Sequence, residues 1–117
     1  MAAAVLVIDD DTQQCQRHVQ YLHKRGYQAQ ALAGGNLSGW LHEHPVAAIV
    51  CALGRHGCEV LTSFKQQFPA APLVVLSYST HSDDVLQALR AGADDYLILP
   101  LDNLEVLGLS VDKAVQH

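Results

Sequence analysis

The sequence predicts an α/β domain built on a parallel β-sheet with helices on both faces. Short runs that are apolar throughout, at 4–8, 46–53 (VAAIVCAL) and 72–76 (PLVVL), have the composition of strands buried on both sides. Between them lie segments whose apolar residues recur at spacings of three and four, most of them closed by Gly or Pro. Strand and helix patterns therefore alternate along the chain, as parallel strands joined by helical crossovers require.

Each element has its own signals. Residues 4–8 are the first central strand. From 12 to 25, Cys15, Val19 and Leu22 mark an amphipathic helix, with Asp11 or Thr12 as N-cap and Gly26 closing it. Residues 27–32 alternate Tyr27, Ala29 and Ala31 with Gln28 and Gln30, the pattern of an outer strand. Gly34-Gly35 breaks it, and Asn36 can cap a short second helix carrying Leu37, Trp40 and Leu41, which must stop before Pro45. Residues 46–53 are the second central strand.

After a turn at 54–57, Val60, Leu61, Phe64 and Phe68 mark the inner face of a third helix ended by Pro69. A third apolar strand follows at 72–76. Ser82, Asp83 and Asp84 open a fourth helix, where acids suit the helix dipole, and Val85, Leu86 and Leu89 face inward until Gly92. Residues 96–99 form the last strand, ended by Pro100. Asp102 caps a fifth helix with Glu105 placed as in a capping box, and Leu104, Leu107, Val111 and Val115 form its apolar seam. Ligands of such sheets bind at the carboxyl ends of the strands, which places 9–11, 52–57, 77–79 and 99–100 at the candidate functional edge.

Composition narrows the function. With 117 residues and an apolar share of 50%, the chain fills one domain, 1–117, with a single core. Seven Lys and Arg against twelve Asp and Glu leave a net charge of -5, and the bases are scattered, so no basic stripe exists for a nucleic-acid backbone. No apolar run is long enough to span a membrane, and the N-terminus lacks the charged start and long apolar stretch of a signal peptide. The odd set Cys15, Cys51 and Cys58 suits reduced thiols. The expected location is the cytoplasm.

The start VLVIDDD, the run LVVLS, the segment ALRAGADDYL and a closing proline followed by a helix together resemble the receiver domain of two-component response regulators. The likeness covers nearly the whole chain. It implies the flavodoxin-like receiver fold, a doubly wound five-stranded parallel sheet of strand order 2-1-3-4-5 with five helices. It also implies that two acids after the first strand bind Mg²⁺ and that an aspartate ending the third strand accepts a phosphoryl group from a histidine kinase. A Ser or Thr and a Lys then contact that group, and an aromatic of the fifth strand swings with the switch.

Carried over, the acidic pair is Asp9 and Asp10, the hydroxyl is Ser77 and the switch aromatic is Tyr96. The phosphoacceptor position falls on Ala52, because PVAAIVCAL stands where the family has PVDAIVxDL, and the lysine position falls on Leu99 in LILPL. Both losses are independent of alignment detail. No Asp lies between Thr12 and Ser82, and no Lys between Lys65 and Lys113. A methyl group cannot attack phosphorus, and Leu99 cannot neutralise phosphoryl oxygens. The loop after the third strand, 53–57, is also shorter than the family's by about three residues, which one engineered substitution would not produce.

The chain is therefore expected to be a degenerate, or pseudo-, receiver and not an enzyme, since no nucleophile–base pair or phosphate-cradling loop is evident. It is expected to need no cofactor. Asp9 and Asp10 are the candidate Mg²⁺ ligands, weakened by the missing third carboxylate, against a plain reading as a solvated acidic remnant. Cys51, His56 and Cys58 lack a fourth ligand for zinc and read as core or loop residues. Most of the seven histidines read as solvated surface groups, with His56 and His81 near the acidic edge. Expected partners are another protein or a second copy, through the fourth and fifth helices and fifth strand, with an output domain elsewhere in a longer regulator. The alternative is a sensor gated by a small ligand or by redox chemistry at the altered, more apolar edge pocket.

Overall fold

The computed structural model of the protein describes residues 3–32, 43–54 and 58–116. In chain order the elements are β1 (Ala4–Ile8), α1 (Thr12–Lys24), β2 (Gln28–Ala31), β3 (Val46–Ala52), α2 (Glu59–Gln67), β4 (Leu73–Ser77), α3 (Ser82–Arg90), β5 (Asp95–Ile98) and α4 (Glu105–Val115). The five strands form one sheet in the order β2-β1-β3-β4-β5, and every neighbouring pair is parallel. Four helices fall among the described residues. Asn36, Leu37, Trp40 and Leu41, which carry the expected second helix, lie outside them.

Alternation along the strands divides the core into two layers. Val5, Val7, Val50, Val74 and Leu76 point to one face and pack with Cys15 and Leu22 of α1 and with Leu107 and Val111 of α4. Leu6, Ile49, Cys51, Leu73 and Val75 point to the other and meet Leu61 and Phe64 of α2 and Ala88 of α3. Both faces of the central strands are thus apolar because both are covered. The crossovers also set where the functional edge lies. β1 leads out to β2 on one side, and the chain returns to β3 on the other, so the strand order reverses between β1 and β3.

Two sequence expectations are corrected. Leu86 and Leu89 do not face inward: they are 45% and 46% exposed, while the small Ala88 is fully buried and lets α3 approach the sheet closely. Asp102 does not cap the last helix. That helix begins at Glu105, whose N–H donates to Asn103 Oδ1 at 2.9 Å, because buried Leu101 fixes the chain before the turn and the short Asn103 amide accepts just ahead of it. Among the histidines, His18 is buried on the inner face of α1.

Where α1 ends, Gly26 adopts φ 101°, a left-handed conformation that ends the helix without Cβ strain. The preceding Arg25 lies across α4. Its guanidinium donates through Nε and Nη2 to both carboxylate oxygens of Asp112, and through Nη1 to Tyr21 Oη at 3.0 Å, while Tyr27 Oη donates to Asp112 as well. These bonds hold the Asp112 carboxyl below the usual carboxylate range, and burial together with Asp112 pushes the Tyr27 phenol up to about 12.

A Cβ at position 108 would stand 2.7 Å from Arg25 Cζ, so the guanidinium would have to shift. Gly108→Ala should therefore gain less in the wild-type chain, where Arg25 must move, than in an Arg25→Ala background, where it should stabilise by about 0.8–1 kcal/mol through helix propensity. Urea unfolding of the four chains checks this, and equal effects in the two backgrounds would show that Arg25 is not held over the glycine.

Candidate functional site

The carboxyl ends of β1 and β3 lie side by side, with Ile8 opposite Cys51, and Ala52 is opposite Leu76 of β4. The side chains that follow these strands meet at one cleft of about 210 Å³, lined by Asp9, Asp10, Asp11, Gln14, Ala52, Leu53, Gly54, Tyr78 and Leu99. Asp9, Asp10, Ala52 and Leu99, singled out in the sequence, are thereby brought together. Ala52 offers a methyl group, and Leu99 is 4% exposed and packs in the core layer of α1 and α4.

The acidic rim is organised by local hydrogen bonds. Asp11 caps α1, its Oδ1 accepting the N–H of Gln14 at 3.1 Å. Asp9 Oδ1 accepts the N–H of Asp11 at 2.9 Å, and Asp9 Oδ2 accepts Gln14 Nε2 at 2.8 Å. Tyr78 Oη donates to Gln14 Oε1 at 3.3 Å, so a chain of contacts runs from the loop after β4 to Asp9. Gly54 brings the β3 loop close to the rim, since a Cβ there would stand 3.2 Å from Asp10 Oδ2. Sequence reading did not find Gln14 or Tyr78. The one available signal was Gln14 three residues after the cap Asp11, a spacing that turns its side chain back over the helix start.

Both Asp9 oxygens accept hydrogen bonds, from Asp11 and Gln14, and position 52 offers no oxygen, so a hard divalent cation, which takes six or more oxygens, would draw on fewer carboxylates here. Among the described residues no group of three or more His, Cys, Asp or Glu side chains is arranged to hold a metal. His56, weighed as a zinc ligand, lies outside the described residues.

Ser77 ends β4 at the same edge, Tyr96 lies within β5 opposite Val75, and neither lines the cleft. Ser77, 6% exposed, uses its Oγ to accept the N–H of Ser79 at 3.1 Å, and Tyr96 Oη donates to the Ser79 carbonyl at 3.0 Å. The Tyr96 ring packs against the core layer of α2 and α3. His81 is exposed and serves as N-cap residue of α3 through its backbone.

The three thiols are kept protonated. Burial pushes Cys51 up to about 12, with Asp9, Asp10 and Cys58 adding to it. Burial, then Asp84, raises Cys58; burial, then Asp9, raises Cys15. Thiols of this kind react slowly with oxidants, because the thiolate is the nucleophile.

A parallel five-stranded sheet whose strand ends converge on an acidic cleft beside the point of reversal defines a doubly wound α/β module with its site at the carboxyl edge. Residues 5–109 match the response regulator receiver domain, and the chain belongs to that family. It is 39% identical over 107 residues to the transcriptional regulatory protein KdpE of Mycobacterium tuberculosis, covering 88% of this chain and 47% of that protein. It is 31% identical to the transcriptional regulatory protein ZraR of Klebsiella oxytoca, over 97% of this chain and 26% of that protein. The chain thus spans about half or less of the length of these relatives. A response regulator from Thermotoga maritima shares the fold with a TM-score of 0.83 at 20% identity, over 100% of both chains.

Proposed function

We propose that this receiver domain does not accept a phosphoryl group on aspartate and signals instead by pairing with a second copy of itself. The observation that carries the first half is the cleft itself: where the family places a carboxylate and an ammonium, the chain presents the methyl of Ala52 and the buried Leu99 beside Asp9 and Asp10. The second half rests on the face formed by α3, β5 and α4. Leu86 and Leu89, Ile98 at 42%, Val106 at 46% and Leu109 at 52% stand exposed there. The same helices carry exposed Asp83, Arg90, Glu105 and Lys113. A face with apolar residues and both signs of charge suits an isologous contact, in which each charge can meet its opposite on the partner.

Sedimentation equilibrium tests the pairing. The wild-type chain is expected to form a dimer that Leu86→Glu and Leu109→Glu each weaken at least tenfold, by burying an unpaired charge. A monomeric wild type, or a dimer indifferent to both changes, would remove the proposal.

Among the described residues no helix is long and apolar enough to cross a membrane. We place the domain in the cytoplasm as one part of a longer regulator, with no direct contact to nucleic acid and no catalysis of its own. The relatives are transcriptional regulatory proteins, which supports a role in transcriptional control for the full-length chain.

One observation favours a second reading. Ala52, Leu53 and Leu99 line the cleft together with its acidic residues, an apolar share that a small organic ligand would contact. A metabolite screen by thermal shift in which nothing stabilises the domain would remove it. Its redox form is opposed by the protonated thiols.

A further inference from the structure

We infer that Ser79 is a positioning residue, a built-in latch that ties α3 and β5 to the loop after β4 and holds the docking face in one arrangement without a phosphoryl trigger; the inference rests on the pairing proposed above. Every polar group of Ser79 is engaged. Its N–H donates to Ser77 Oγ at 3.1 Å, and its carbonyl accepts from Tyr96 Oη at 3.0 Å. Its hydroxyl donates to Asp84 Oδ2 and accepts the N–H of His81 at 3.2 Å, which uses the donor and one acceptor position of a serine. The residue thus joins the end of β4, the first turn of α3 and the middle of β5.

The placement matters because the joined elements carry the exposed apolar side chains. Leu86 and Leu89 stand on α3 and Ile98 ends β5. His81, whose N–H is bound by Ser79, is the residue whose carbonyl accepts the first α3 bonds, from Asp84 and Val85. The start of α3 is therefore set from Ser79. The Ser77 hydroxyl, which the family resemblance assigns to a phosphoryl group, is engaged by the same residue. In a module gated by a ligand these groups would need that ligand to settle; here they satisfy one another.

Amide hydrogen exchange and the Tyr96 ring signals in nuclear magnetic resonance test the latch on the full chain. The wild type is expected to show one Tyr96 ring environment and protected amides at Ser79 and His81. Ser79→Ala should raise exchange at His81 about tenfold, the size of one lost hydrogen bond, and should give Tyr96 a second ring environment. Tyr96→Phe should raise exchange at the loop amides, whereas Ser79→Thr, which keeps the hydroxyl, should restore the wild-type pattern. Two ring environments in the wild type, or unchanged exchange in Ser79→Ala, would overturn the latch. Sedimentation of the same samples separates the two ideas. A several-fold weaker dimer in Ser79→Ala supports the coupling, and an equally tight one overturns it. A monomeric wild type sinks the pairing alone, leaving the amide and ring signals to decide on the latch.

Discussion

Replacing His18 by leucine should stabilise the domain by about 1–3 kcal/mol, the desolvation penalty of a buried polar group left without a partner. His18 is 1% exposed, and neither ring nitrogen has a hydrogen-bond partner among the described residues. It lies between Cys15 and Leu22 on the inner face of α1, where an aliphatic side chain would fit the surroundings. Leucine has nearly the volume of the imidazole, so the gain should not be lost to a cavity. His18→Ala should have the opposite sign, a loss of about 2–4 kcal/mol, because it empties the space that His18 fills.

The same residue fixes an acid limb of stability. Burial, the largest influence, holds the His18 imidazole below its ordinary value of 6.5, with Arg17 acting in the same sense and Asp9 and Asp11 opposing. Between the folded and unfolded values the unfolded chain binds a proton that the folded chain does not. Stability is therefore complete above about pH 6.5 and declines as the pH falls below that toward the folded value. Urea unfolding from pH 8 to 5 should show this slope in the wild type and a shallower one in His18→Leu. A leucine variant less stable at every pH would mean that the histidine has a partner in solution.

Ala52→Asp should turn the edge cleft into a cation site. Position 52 lines the same cleft as Asp9 and Asp10, so the new carboxylate adds oxygens for a hard ion beside two existing carboxylates. Without metal the added charge should lower stability, because carboxylates so close repel. With magnesium at about one hundred times its dissociation constant the loss should be offset by about 2.7 kcal/mol. The wild type should show no comparable shift. If both chains respond equally to magnesium, Ala52 is not what disables the site.

The parts of this molecule that the sequence revealed are those written in residue type and local spacing. β1, β3 and β4 were legible because a strand covered on both faces must be apolar at every position, and Ala4–Ile8, Val46–Ala52 and Leu73–Ser77 are nearly so. What the chain lacks is a matter of residue type. The sequence alone shows that no aspartate exists at or near position 52 and no lysine at or near position 99.

What stayed hidden depends on contacts between distant residues. Leu86 and Leu89 were read as core because hydropathy does not distinguish a leucine facing the sheet from one left exposed, and only the rotation set by Ala88 separates them. The burial of His18 leaves no mark in the sequence, because a polar side chain on an amphipathic helix is normally outside. The Ser79 contacts join residues 77, 81, 84 and 96, and the Arg25–Asp112 pair spans 87 positions. No local pattern announces either.

The central claim, that this receiver domain accepts no phosphoryl group, is tested most directly by incubating it with acetyl phosphate and magnesium and measuring its intact mass. An unchanged mass is expected, with a receiver that has the acceptor aspartate as the positive control. A stoichiometric, acid-labile gain of one phosphoryl group on the wild-type chain would contradict it.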